Sequence, residues 1–313
     1  MVRDIDPVTG WLLSGDPAIR WQAMGDLADA GAAAIRRERG RVARAGWGRR
    51  LLDLQDASGL WGGGLYTPKW TSTTYTLLLL RALGLPAGDR RARIGTRRLL
   101  DAGLYTDGGI NLWRRQRACS ETCVTGMALA IAARFAPDDR RLELLAANLL
   151  EEQMSDGGWN CRRPRGAVHS SLHTTISVLE GLLEYECGGG KLAVQTRAAR
   201  ERAHEFLGLH RLFRSHRTGD VIDGRMTRFS FPPQWHYDVL RGLDYLQSAH
   251  APRDARYGEG IDLVRKRRDP GGTWALAAIY AGKYHFAMER PGRPSRWNTL
   301  RALRVLRWWD QGG

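Results

Sequence analysis

The feature that most constrains this chain is a repeat. Glycine-rich turns with a neighbouring aromatic recur as Trp61-Gly62-Gly63-Gly64, Asp107-Gly108-Gly109, Asp156-Gly157-Gly158-Trp159 and Asp269-Pro270-Gly271-Gly272-Thr273-Trp274. Their first glycines are 46, 49 and 114 residues apart, the last interval being two periods of 57. One unit therefore lacks its signature, and the degenerate Gly219-Asp220 loop places it near 211–232. A period near 50 residues is the mark of a structure assembled from one repeated supersecondary unit, each unit burying its apolar face against the next.

Each turn is flanked by helical patterns. Before it runs an amphipathic stretch, such as Leu51, Leu52 and Leu54 leading to Gln55, or 142–150 leading to Gln153. After it comes a more apolar stretch that opens on small or β-branched residues, over 73–83, 122–135, 174–185, 235–246 and 298–309. Apolar spacing there is helical and not alternating, so the chain reads as all-α. Asp16-Pro17 is a cap and first-turn pair that opens a helix over about 16–30, with Trp21, Met24 and Leu27 on one face. A helix that is apolar nearly all round must be buried, so the second helix of each pair belongs inside. Five to six such hairpins are too few for a long solenoid and predict a closed α/α toroid, one domain over 1–313 with the 16–30 helix closing the ring. An open solenoid of HEAT type is the structural alternative.

Composition narrows the function classes. No apolar run approaches the roughly 18 residues a membrane span needs, and mean hydropathy is -0.41. The first residues, Met1-Val-Arg-Asp-Ile-Asp-Pro, contain no apolar core of a secretory signal, which predicts a cytoplasmic protein. Net charge is +15, with Arg scattered widely (Arg36, Arg37, Arg90, Arg91, Arg140, Arg141). Such basicity suits an anionic small molecule or nucleic acid, but scattered arginines fit solvated helix faces better than a nucleic-acid footprint. The four cysteines, Cys119, Cys123, Cys161 and Cys187, form no secreted framework and read as buried thiols, reactive thiols or metal ligands.

Gln55-Asp-Ala-Ser-Gly-Leu-Trp61 and Gln153-Met-Ser-Asp-Gly-Gly-Trp159 resemble the Gln-Trp repeat of squalene–hopene cyclases and of protein prenyltransferase β subunits. With the period, this resemblance to the terpenoid cyclase/protein prenyltransferase superfamily spans roughly residues 45–310. It implies a central cavity entered from the end where the inner helices begin, and an isoprenoid or isoprenoid diphosphate as substrate. The Asp-x-Asp-Asp acid of the squalene cyclases is absent. Asp138-Asp139 lies in an interhelical turn and reads as a helix cap. A cyclase would thus have to work metal-free with another acid.

The prenyltransferase β subunits carry zinc on an Asp-x-Cys at one inner-helix start and a His at a following one. Here Cys119-Ser-Glu121-Thr-Cys123 and His169-Ser-Ser-Leu-His173-Thr174 stand at consecutive starts, 50 residues apart from Cys123 to His173. The resemblance puts Glu121, Cys123 and His173 on the three zinc positions, with Glu for Asp. Three such ligands leave a fourth position open, as in catalytic zinc sites. Cys119, Cys161 and His169 are spare ligands nearby. The bland reading makes Cys123 a small buried residue, Glu121 a first-turn residue and His173 a satisfied hydrogen-bonding group.

Arg115 is placed like the family's diphosphate-binding arginine, and Arg114, Arg117, Arg162, Arg163 and Arg165 crowd the same two loops. The family's lysine falls on Ala118, and the Tyr after its zinc Cys is Val124. Trp70, Tyr75, Trp113, Trp235, Tyr237 and Trp297 sit at or near inner-helix starts, where they would line an apolar pocket or serve as packing. His236 and Asp238, in Gln234-Trp-His-Tyr-Asp, are the candidate acid–base pair. A peptide or protein partner fits the transferase reading. A lanthionine-forming zinc cyclase shares the toroid, but its Cys-His-Gly is missing here. A non-enzymatic basic scaffold is the remaining alternative.

Overall fold

The computed structural model describes residues 6–113, 116 and 118–311. All regular elements among them are helical: α1 (Pro7–Leu13), α2 (Pro17–Asp26), α3 (Ala32–Gly40), α4 (Gly46–Leu52), α5 (Thr73–Ala82), α6 (Arg90–Gly103), α7 (Thr122–Phe135), α8 (Arg141–Glu151), α9 (Leu172–Cys187), α10 (Ala193–Leu209), α11 (Val239–Ser248), α12 (Gly258–Lys266) and α13 (Arg296–Asp310). Extended pairing is confined to isolated bridges, and no described helix is long and apolar enough to cross a membrane.

The repeated turn is built the same way each time, which explains its sequence. The indole N–H groups of Trp61, Trp159 and Trp274 donate to the carbonyls of Leu51, Leu149 and Val264, each at 2.7 Å. All three rings are fully buried. The backbone N–H groups of Trp61, Ile110, Trp159 and Trp274 donate to the hydroxyls of Thr73, Thr125, Thr175 and Thr299 at 2.9–3.0 Å. A buried N–H must find an acceptor, and a threonine on the following helix supplies it. Gln55 and Gln153 span their turns, donating to Gly59 and Gly157 on one side and to Arg91 and Ala199 in the next helix on the other. Gly157 needs its freedom: φ is +92°, and a Cβ there would lie 2.5 Å from the carbonyl of Arg202.

The apolar helices pack in sequence. α5 packs on α7, α7 on α9, α9 on α11, α11 on α13, and α13 on α2. From α2, Trp21 and Gln22 donate to the carbonyls of Leu83 and Ala82 at the end of α5. The amphipathic helices α6, α8, α10 and α12 alternate with these along the chain. α7 and α9 meet backbone to backbone, since a Cβ on Gly126 would fall 2.8 Å from Ser177 O and one on Gly181 only 2.4 Å from Gly126 O.

Boundaries follow local chemistry. α7 spans the predicted 122–135, whereas α11 starts four residues after the predicted 235. Pro232-Pro233 and a left-handed Gln234 (φ +55°) hold 232–237 outside the helix, and Asp238 caps it. The N-terminal helix ends at Asp26 and not near 30, because Asp29 turns left-handed at φ +48°. The unit without a signature is the 210–238 connection between α10 and α11, where Asp238, not a threonine, accepts the N–H of Ser230.

Candidate functional site

The local fold brings Glu121, Cys123 and Cys161 together, with their ligand atoms all within 4.8 Å of one another. Glu121 precedes α7 in extended conformation, its N–H held by Ile110 O at 2.9 Å, so the second glycine turn fixes its position. Cys123 lies on the first turn of α7, its sulfur 3.6 Å from Glu121 Oε1. Cys161 stands two residues beyond Trp159, whose anchors to Thr175 and Leu149 lock the third turn. Its N–H donates to Thr174 Oγ1 at 3.3 Å. Two neighbouring repeats thus contribute to one cluster.

The sulfurs divide one proton unequally. Hydrogen bonds from the Cys123 thiol and, more weakly, the Thr174 hydroxyl bring Cys161 down to about 6, against the opposing effect of burial, and Arg162 adds favourable charge. Cys123 moves well up, because it donates to Cys161, is buried, and faces the negative charge of Cys161 and Glu121. The cluster thus offers one carboxyl oxygen and two sulfurs, all three residues half-buried.

His173 faces elsewhere. Its Nδ1 accepts the Tyr237 N–H at 2.8 Å, so the lone pair of the neutral ring is committed and Nε2 carries the proton. Burial first, then Arg241, lowers its pKa to about 4. It packs edge-on against Trp235 (5.4 Å) and His236 (6.0 Å), while Cys161, a spare ligand in the sequence reading, completes the cluster.

The predicted aromatics do assemble, apart from two. Trp70 meets Tyr75 at 4.8 Å and His236 at 5.9 Å, and Tyr66 bridges Tyr75 and Trp113, both at 5.0 Å. Trp235 stacks on His236, whose other face stacks on Tyr280 at 3.5 Å. Trp297 instead stacks on Phe231 at 4.2 Å, and the buried Tyr237 packs its hydroxyl against Gly242. Lys69, which sequence reasoning passed over, is exposed, with its ammonium 5.4–5.7 Å from the rings of Tyr66, Trp70 and Trp235. Its signal was a lysine directly before Trp70, in an otherwise arginine-dominated chain.

His236 is neutral, burial above all pulling it down to about 3. Asp238 is fully buried and caps α11: its oxygens accept the N–H groups of Arg241 (2.8 Å) and Ser230 (3.3 Å). Burial raises its pKa. Asp139 likewise accepts the Arg141 N–H at 3.1 Å at the start of α8. Arg163 pairs with Glu152 at 2.9 Å, Arg162 is exposed, and Arg115 and Arg117 lie outside the described residues.

A strap from 275 to 290 crosses the start of α5. Lys283 and Lys69/Trp70 exchange backbone hydrogen bonds at 2.7 and 2.8 Å, Trp70 Nε1 donates to Ala281 O at 2.9 Å, and His285 Nε2 meets Thr76 Oγ1 at 2.9 Å. A cavity of about 440 Å³ lies among α2, α3, α5, α7, α9, α11 and α13, and reaches Arg81, Arg134, Glu184 and Arg304 in the later turns of those helices.

No protein-family model matches the chain, and no curated protein matches it. One solved structure, described as a protein from Actinoplanes, is similar over 93% of this chain and 89% of that one, at 17% identity and a TM-score of 0.47.

Proposed function

We propose that the chain closes as an α/α toroid of the terpenoid cyclase/protein prenyltransferase kind and acts as a prenyltransferase-like enzyme on an isoprenoid diphosphate, with zinc held by Glu121, Cys123 and Cys161. The observation that carries this reading is the convergence of those three ligand atoms within 4.8 Å. Tetrahedral zinc with bonds of about 2.0–2.3 Å needs ligand atoms about 3.5–3.8 Å apart, so small side-chain rotations suffice. The succession of contacts from α5 through α13 to α2 and back to the end of α5 supports closure of the ring.

Bound in this three-ligand set, zinc would keep one position open and lower the pKa of a thiol nucleophile there. The chain's own residues supply the rest. Thr174 and Arg162 favour the thiolate of Cys161. Tyr66, Trp70, Trp113 and Trp235 give an apolar wall for the prenyl chain, and exposed Lys69 and Arg162 offer cations to the diphosphate. The transferase reading is preferred to a cyclase because the cavity is ringed by guanidinium and carboxylate groups, where a folding polyprene needs apolar walls.

The test is the zinc content of purified protein by plasma mass spectrometry. About one zinc per chain is expected in the wild type and in His173→Ala, and its loss in Cys123→Ala and Cys161→Ala. Metal-free wild type that takes up no added zinc refutes the transferase chemistry and favours a basic scaffold.

A further inference from the structure

The cavity carries a charge imbalance that the metal cluster does not explain. Six arginines line it, Arg39, Arg81, Arg134, Arg241, Arg301 and Arg304, against three carboxylates, Glu180, Glu184 and Asp244. Each carboxylate is shared. Glu184 takes Arg81 at 2.8 Å and Arg134 at 3.7 Å. Glu180 takes Arg241 at 2.8 Å and Arg81 at 3.8 Å. Asp244 takes Arg304 at 2.5 Å and Arg301 at 3.2 Å. Glu180 and Asp244 are held below the usual carboxylate range by these arginines, which outweigh burial. Counted at formal charge, six guanidinium groups face three acids, an excess of three positive charges, or two once Asp26 behind Arg304 is counted.

Two of the cations are weakly engaged. Arg39 has no carboxylate within 4.0 Å among the described residues; it donates to Gly84 O at 2.9 Å and lies over Trp21. Arg134 touches Glu184 only at 3.7 Å and Leu85 O at 3.3 Å, and its buried Nε has no hydrogen-bond partner. Surplus like charge in a partly buried cavity is repulsive, and a bound anion would relieve it. Between the charged groups run Leu78, Leu79, Leu183, Phe231 and Trp297. Concave, partly apolar spaces of this size with a few convergent polar groups are where small molecules bind.

We propose that this cavity is a binding site for a small organic anion that bears at least two negative charges beside an apolar group. It is separate from the Glu121/Cys123/Cys161 cluster: Arg134 stands eleven residues along α7 from Cys123, about 16 Å at 1.5 Å per residue. The anion completes the belt by neutralising Arg39 and Arg134, and its apolar part packs against Phe231 and Trp297.

Isothermal titration calorimetry with 1-naphthyl phosphate tests this, with inorganic phosphate and neutral 1-naphthol as comparison probes. One naphthyl phosphate per chain is expected, bound more tightly than phosphate, with no saturable binding of naphthol. Arg134→Gln and Arg39→Gln should each weaken it at least tenfold while thermal melts show both variants folded; if one fails to fold, the other decides. Arg217→Gln, on an exposed turn, and Cys123→Ala should bind as wild type, which separates this site from the metal reading. Absence of saturable naphthyl phosphate binding overturns the proposal. So does an affinity indifferent to both cavity arginines, or one equally sensitive to Arg217→Gln.

Discussion

Replacing Thr175 by Val tests whether the threonine hydroxyl, and not the glycine turn alone, holds each repeat together. Thr175 and Trp159 are both fully buried. The hydroxyl accepts the Trp159 N–H at 3.0 Å and donates to Trp159 O at 3.3 Å. Valine keeps the shape and β-branching but removes both bonds, and leaves a backbone N–H in the core with no acceptor. An orphaned buried polar group costs about 1–3 kcal/mol, and the weaker second bond adds about 0.5 kcal/mol, so a loss of about 2–3 kcal/mol is expected. Thr175→Ser keeps the hydroxyl and loses one methyl, about 1 kcal/mol. Urea unfolding followed by tryptophan fluorescence measures both, with the denaturant slope unchanged if the effect lies in the native state. Valine as stable as wild type, or serine worse than valine, would refute the reasoning.

Other perturbations read other parts of the structure. Gly181→Ala should cost more than the one methyl suggests, about 2–3 kcal/mol by the same urea assay, because its Cβ would lie 2.4 Å from the carbonyl of Gly126 and backbone cannot move aside cheaply; a neutral substitution would mean α7 and α9 are not in contact there. Acid should destabilise the fold before the carboxylates titrate. Burial takes His204 down to about 4 and His236 to about 3 in the folded state. Unfolded histidines near 6.5 bind protons that the folded ones refuse, so stability is full above about 6.5 and falls as pH drops toward 4. Calorimetric melts at pH 7 and pH 5 should show a lower Tm and net proton uptake on unfolding at pH 5; a Tm that is flat across that interval contradicts it.

The frame of helices was legible because it rests on residues that repeat. Trp61, Trp159 and Trp274 do one job three times, Thr73, Thr125, Thr175 and Thr299 do another four times, and the period exposes them. The strap over 275–290 was not legible, because it occurs once and is held by single contacts such as the Trp70 indole on Ala281 O. α1 was missed for a related reason. Seven residues opened by Asp6 and Pro7 carry too short an apolar pattern to register, although Asp6 caps it through the N–H groups of Val8 and Thr9.

The site divides along the same line. Spacing correctly set Cys123 beside Glu121, since both sit on the same helix start. The resemblance put His173 in the third place and left Cys161 as a spare, because which of the two joins the cluster depends on which way each side chain turns. Two backbone groups settle the direction: the Thr174 hydroxyl receives the Cys161 N–H, and the Tyr237 N–H claims the imidazole. Tyr237 is positioned by Pro232-Pro233 and the left-handed Gln234, in the unit whose repeat signature has decayed. The irregular repeat thus takes the histidine out of the cluster and puts sulfur, a softer donor than imidazole, in its place. Two sulfurs in place of one raise the affinity expected for zinc over magnesium or calcium, and make the donor set dependent on thiol oxidation state. On the proposed zinc reading, peroxide treatment before the metal assay should lower the zinc content of the wild type, and zinc unchanged by peroxide would count against ligation by both sulfurs.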